Sequence, residues 1–399
     1  TFVATSSSFA QSGWVGQSSG TTNLLIGVFF NDASTGTAVG NSGTILRTTD
    51  GGATWTGQTS GTTQNLFGVF FTDATTGTAV GTGGTILRTT NGGATWTSQS
   101  SGTTNDLRKV YFTDASTGTA VGSSGTIRHT TNAGTTWTSQ TSGTIQTLNG
   151  VFFTDASTAT VVGTGGTILH TTNAGTTWTS QTSGTTNPLT GVYFTDSSTG
   201  TAVGSISGMI LRTTNGGATW TSQTSGTTNP LRGVSFTDAT TGTAVGDLGT
   251  ILHTTNAGAT WTSQLSGTVN GLSSVFFIDV STGTAVGAAG IVLHTTTGGI
   301  TWVQEDLNGQ IPGTFALEQN YPNPFNPTTT ISFTLPVQSL VTLKVFDLLG
   351  REVGLILSEE LPAGKYSQGW SATGFSSGVY FYRLQAGSFR ETKRLVLLR

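Results

Sequence analysis

The chain has 399 residues, more than one hydrophobic core usually serves, so two domains are expected. Charged residues make up only 8% and the formal net charge is −3, so there is neither a field nor a Lys/Arg run to hold nucleic acid, while Thr, Ser and Gly keep the chain polar. It has no Cys, which excludes disulfides, thiolate metal sites and Cys nucleophiles, and no run of 18 apolar residues to cross a membrane as a helix.

Residues 1–13 read as an N-terminal tail. The stretch TFVATSSSFA ends in a small-x-small pattern before Gln11, which reads either as the remnant of a secretory signal peptide or as a frayed polar terminus. From there to residue 305 the chain is a repeat. The Trp of GGATW and its variants falls at Trp55, Trp96, Trp137, Trp178, Trp220, Trp261 and Trp302, spaced 41, 41, 41, 42, 41 and 41 residues apart. Each unit predicts four short strands; in the second they are LFGVFFT (66–72), TAVG (78–81), TILRTT (85–90) and WTSQS (96–100), separated by Asx, Gly and Thr turn residues. Four strands in about 41 residues is the size of a propeller blade. Runs such as Val69-Phe70-Phe71 are apolar at consecutive positions, so both faces of the sheet should be buried, as in blades stacked around an axis. Seven units favour a closed ring at residues 14–305. Trp14-Val15-Gly16-Gln17 is an eighth copy of the Trp strand, 41 residues before Trp55, so either Trp14 or Trp302 could complete the last blade.

Three positions recur with chemistry attached. Thr48-x-Asp50-x-Gly52-x-Thr54-Trp55 has the spacing of the Asp-box, or BNR repeat, whose physical task is to close a hairpin. Asn replaces the Asp at 91, 132, 173, 215 and 256 and Thr at 297, which suits turn capping rather than a charged role. An acid follows the first strand of each unit, beginning Asp32 and Asp73, and a base sits in the third: Arg47, Arg88, His129, His170, Arg212, His253 and His294. One per blade around a ring, these cannot converge on a metal, so structural pairing within the blade is expected, with no metal site and no cofactor.

With V-x-F-x-D, G-x-A-V-G, G-x-I-L-x-T-T and D/N-G-G-x-T-W all present, as in 69–73, 77–81, 84–90 and 91–96, the units resemble the photosystem II assembly and stability factor family of seven-bladed propellers. The likeness covers about residues 14–303 and implies the fold. It does not carry the photosynthetic role, since the aromatic that often precedes Ala-Val-Gly in that family is Thr here (Thr37, Thr78, Thr119).

Near-identical units put specificity where the copies differ. Two variable positions flank an invariant Leu: Leu24, Asn65, Asp106, Thr147, Pro188, Pro230 and Gly271 before it, and Ile26, Phe67, Arg108, Asn149, Thr190, Arg232 and Ser273 after it. Lying opposite the buried Leu, they should line one rim. Candidate ligand contacts are Ile26, Phe67, Arg108, Lys109 and Arg232; the alternative is that these are tolerated surface positions. An Asp-box glycoside hydrolase would need a convergent acid pair, and the propeller segment has one Glu, Glu305, and equivalent Asp residues. No catalytic residues are assigned, and the expectation is a non-enzyme.

Residues 306–316 read as a linker, and composition then changes: the last 94 residues hold 8 of the 15 Lys+Arg. Alternating strands with turns at Leu349-Gly350, Pro362-Ala363-Gly364 and Ser376-Ser377-Gly378 predict a small immunoglobulin-like β-sandwich over 317–399. NYPNPFNPT (320–328), DLLGR (347–351), GVYFY (378–382) and KRLVLL (393–398) closely resemble the type A C-terminal sorting domain of type IX secretion in Bacteroidetes-like bacteria. That resemblance implies the type IX machinery as partner of 317–399 and a location outside a Gram-negative cell or on its surface. The expected function is a binding, adhesion or scaffold module that holds a glycan, a matrix component or a protein on its rim. Self-assembly into a surface structure and the hydrolase are the alternatives.

Overall fold

The computed structural model describes residues 13–299, 312–361, 363–372 and 375–398. The chain is all-β, and its described residues fall into two compact units, one over 15–298 and one within 312–398.

The first unit is a seven-bladed propeller. Each blade is an antiparallel four-stranded meander, in the second blade Leu66–Phe71, Gly77–Gly81, Ile86–Thr89 and Thr97–Gln99. The first strands form the inner ring, each touching the first strand of the next blade, and the seventh, Leu272–Phe277, touches the first, Leu25–Phe30. Hydrophobic clusters lie between blades rather than within them. Val39 and Ile45 of blade 1 pack with Leu66, Val69, Phe71, Leu87 and Trp96 of blade 2, which is why apolar residues run consecutively along the strands. The Gly that ends Ala-Val-Gly is required by a close approach: a Cβ on Gly40 would collide with the Leu24 carbonyl.

The Asp-box turns act as predicted. Asp50 Oδ1 accepts from the Thr54 amide at 2.9 Å and its Oδ2 from the Thr54 hydroxyl at 2.6 Å. Asn91 repeats this by accepting from the Thr95 amide with Oδ1 and donating to Thr95 Oγ1 with Nδ2, so a charge is unnecessary. The following Trp stands edge-on to an inner-strand Phe, Trp55 to Phe30 at 6.0 Å, and its indole N–H donates to a Gln of the preceding blade's outer strand. That Gln also donates forward: Gln58 Nε2 reaches the Gly92 carbonyl at 3.2 Å while its Oε1 accepts from Trp96 at 3.2 Å. One Gln thus staples each blade to the next.

The ring closes through the N-terminal strand. Gly13–Gln17 is the outer strand of the last blade, beside Val292–Gly299, Gly283–Gly287 and Leu272–Phe277. Trp14 is 1% exposed, and Gln17 takes the staple position by accepting from Trp55 at 3.3 Å. Of the two candidate closures, Trp14 holds the place; Trp302 lies outside the described residues, as do Glu305 and the SFA-Gln pattern.

Between Asp32 and Arg47 the pairing is one of charge and not of a hydrogen bond, and the acid likewise raises the pKa of the base of its blade against burial at Arg88, Arg212 and His253. Asp32 closes its own turn, accepting from the amides of Ser34 and Thr35 and the Ser34 hydroxyl. The base instead finds the Thr opposite it on the second strand: Arg47 is in register with Thr37 and donates to its Oγ1 at 3.0 Å. Its other arm crosses to the next blade, to the Ala74 carbonyl at 2.8 Å, with the guanidinium 5.2 Å from the Phe71 ring. Arg88 repeats the arrangement with Thr78 and the Ala115 carbonyl, and each His lies 3.1–3.3 Å from the matching Thr through Nδ1.

Burial lowers the pKa of all four of these histidines, so together they make the propeller acid-sensitive. Burial pushes His253 down from 6.5 to about 4. Between those values the unfolded chain binds a proton that the folded chain refuses, so stability is full above pH 6.5 and falls as pH drops toward 4. The expected loss from this side chain is about 2 kcal/mol at about pH 5. Denaturant melts at pH 7 and 5 check it: His253→Gln should flatten part of the pH dependence, the rest lying with His129, His170 and His294, and an unchanged slope would contradict the assignment.

In the second unit a three-stranded sheet, Ala316–Leu317, Thr328–Leu335 and Gly364–Ser371, packs on a four-stranded one, Glu352–Leu361, Ser339–Phe346, Gly378–Ala386 and Phe389–Leu397. Alternating inward residues such as Ile331, Phe333, Leu335, Val341, Leu343 and Val345 fill the core of this β-sandwich. The Asn/Pro-rich entry is a clasp. The hydroxyl of fully buried Tyr382 donates to the Glu318 carbonyl at 2.7 Å and accepts from the Asn320 amide at 2.8 Å. Asn323 accepts from the Val396 amide and donates to the Arg394 carbonyl, and Phe325 exchanges backbone bonds with Val396 and Leu398. The motif residues therefore hold the terminal strand in place.

Candidate binding site at the channel mouth

Each inner strand carries a β-bulge at the same place. In blade 1 the register with the second strand runs Leu25↔Gly40 and then Gly27↔Val39, so Ile26 has no partner. The skipped residue in the other blades is Phe67, Arg108, Asn149, Thr190, Arg232 and Ser273, which is the second variable position of the repeat. A bulge re-aims the side chain it leaves unpaired. Here it turns the variable residues toward the propeller axis.

The consequence is a cavity of about 680 Å³ at the mouth of the central channel, on the face carrying the turns between second and third strands. Ile26, Phe67, Arg108, Lys109 and Arg232, drawn from blades 1, 2, 3 and 6, all line it. One residue beyond the valines that form its deeper wall, inner-strand aromatics meet from blade to blade, Phe29 to Phe70 at 4.8 Å and Phe152 to Tyr193 at 4.7 Å, interrupted where blade 6 has Ser235.

The bulge residues differ in how far the fold consumes them. Asn149 donates to the Leu189 carbonyl at 2.8 Å, and the Thr190 hydroxyl reaches the Val203 and Leu231 carbonyls, so these two are structural. Arg232 makes a two-pronged bond to Asp247, 2.9 and 2.7 Å, which raises its pKa. Arg108 lies 4.4 Å over the Phe67 ring and 3.2 Å from Asp106, with a buried Nε that has no partner. Lys109 is the residue after the bulge, partly buried, with burial pulling its pKa down. Asn41, Ser205, Asp247 and Ser274 also face the cavity and were not singled out from the sequence, although the first residue of the turn after Ala-Val-Gly varies from copy to copy (Asn41, Thr82, Ser123, Thr164, Ser205, Asp247, Ala288). At the first variable position Leu24, Pro188 and Gly271 also line the cavity, while Asn65 and Asp106 each accept a backbone amide from the preceding blade's turn, at Ser42 and Gly83.

Among the described residues no group of three His, Asp or Glu could hold a metal ion, and Asp247 is the one carboxylate on the cavity wall.

The sequence pattern of the photosynthesis system II assembly factor YCF48 family matches at residues 58–189, 101–234, 181–272 and 226–323. The chain belongs to the YCF48 family. Its tail matches the secretion system C-terminal sorting domain at residues 319–398, which indicates export by type IX secretion and an extracellular or cell-surface location. Among solved structures, a YCF48 bound to D1 peptide is 20% identical, with a TM-score of 0.63, over 72% of this chain and 96% of that one. YCF48 from Cyanidioschyzon merolae is 20% identical at 0.61, over 71% and 98%. The GH74 xyloglucanase from Xanthomonas campestris is 12% identical at 0.59, over 81% and 60%. These three likenesses speak for the propeller fold. A search among curated proteins found no match.

Proposed function

We propose that this YCF48-family chain is a non-enzymatic binding propeller of the cell surface or its surroundings, which takes a glycan, matrix component or protein at the channel mouth. The observation that carries this is the convergence of Ile26, Phe67, Arg108, Lys109 and Arg232 on one cavity in a ring otherwise built of near-identical blades. A YCF48 relative holds a peptide, which fits a propeller of this family used for binding. Two-carboxylate hydrolysis finds less support, because the cavity wall offers only Asp247 among the described residues, and Arg232 engages both its oxygens.

Phe67 and Arg108 form one wall through the ring-to-guanidinium contact, so they are tested together. Immobilised full-length protein is incubated with matrix and envelope extract from its native cells and with a glycan array. Phe67→Ala/Arg108→Ala should lower capture at least about tenfold, the scale of two lost interface contacts of about 1 kcal/mol each. Capture unchanged by the double substitution would sink the proposal.

A further inference from the structure

Lys109 occupies a position that the fold fills with small residues. Its counterparts are Gly27, Gly68, Gly150, Gly191 and Gly233, with Ser274 in blade 7. Inner strands run so close there that a Cβ on Gly27 would lie 3.0 Å from the Phe67 carbonyl, and one on Gly68 3.1 Å from that of Arg108. Packing alone gives no reason for a lysine at such a place, and Lys109 is the one Lys of residues 1–305.

The charges around it are matched, and its own is not. Arg108 meets Asp106 and Arg232 meets Asp247, while among the described residues no ion pair or hydrogen bond engages the Lys109 amine. The cavity therefore presents one unpaired amine in a partly desolvated setting, where burial disfavours its charge until an anion arrives to match it. A dianion would bring one charge too many. Around the same cavity the side chains of Asn41, Ser205, Ser273 and Ser274 have no hydrogen-bond partner among the described residues, unlike Asn149 and Thr190. One cation with a set of uncommitted hydroxyl and amide groups is complementary to a polyhydroxylated monoanion. The volume, about 680 Å³, lies within the range of small-ligand pockets.

We propose that the channel mouth binds an acidic sugar, its single carboxylate on Lys109 and its hydroxyls on the Asn and Ser side chains of the wall. This rests on the binding role proposed above and narrows its ligand.

Titration calorimetry of the full-length protein tests it with four probes: methyl glucuronide, its methyl ester, methyl glucoside, and trialanine with a free C-terminus. Methyl glucuronide should bind, with the ester and the glucoside at least tenfold weaker. Lys109→Gly, which restores the residue of five sister blades, should lose at least tenfold in affinity while melting no lower than the native protein, and Lys109→Arg should keep most of the binding. Equal binding of glucoside and glucuronide, undiminished binding by Lys109→Gly, or Lys109-dependent binding of trialanine without glucuronide would each overturn the acidic-sugar assignment. Should glucuronide fail to bind while Phe67→Ala/Arg108→Ala still abolishes capture of the natural ligand, the acidic sugar alone falls. Should that double substitution also change nothing, the binding role falls with it.

Discussion

Trp14→Ala destabilises the propeller by about 3–5 kcal/mol, the cost of emptying a large buried aromatic site, and lowers its melting temperature by on the order of 8 °C. The side chain is the largest of the fully buried set, and it sits on the strand that joins the two ends of the ring without a covalent link. Its loss should therefore exceed that of Trp96→Ala, which removes a similar indole from a blade whose four strands are continuous in sequence. Deleting Gly13–Gln17 goes further: the last blade loses its outer strand and Trp55 its acceptor on Gln17, so the ring opens and its inter-blade faces become accessible to protease. Melting curves of the three variants decide the matter. A Trp14→Ala protein as stable as the native one would mean that the ring closes some other way.

Removal of residues 319–398 abolishes export and leaves the propeller inside the cell, because that segment is the sorting domain. A finer substitution asks whether the folded clasp is what the machinery recognises. Tyr382→Phe leaves the buried Asn320 amide without its acceptor, a cost of about 1–3 kcal/mol, and takes the donor from the Glu318 carbonyl. The terminal strand then loosens, and the fraction of protein in the medium and on the surface falls severalfold. Fractionation followed by immunoblotting measures both. Full export of Tyr382→Phe would show that the motif is read as a linear sequence.

Much of this architecture was legible because it is repeated. Turn residues at fixed offsets and a 41-residue period named the blade, and apolar residues at consecutive positions named its double burial. Closure was open, because Trp14 and Trp302 stand in the same repeat register and only the sheet pairing distinguishes them. The structural role of the Asp and Arg/His positions was visible, but their partners were not. Cross-strand register puts Thr37 opposite Arg47, and the acid is taken up by the amides of its own turn. At the site, variation around the invariant Leu points to part of the cavity lining, the seven bulge residues, and not to Asn41, Ser205, Asp247 and Ser274. What turns them inward is a bulge, which no residue type announces, and the singularity of Lys109 shows only when it is set against the glycines of its sister blades.

The most direct test of the central claim asks which face of the propeller meets its ligand. A photoreactive amino acid is placed at Ile26, on the channel mouth, or at Ala74, on the exposed turn at the opposite end of the strands, and the full-length proteins are irradiated on their native cells. Binding at the mouth predicts covalent adducts from position 26 and none from position 74. Adducts from 74 alone, or equally from both, would contradict it.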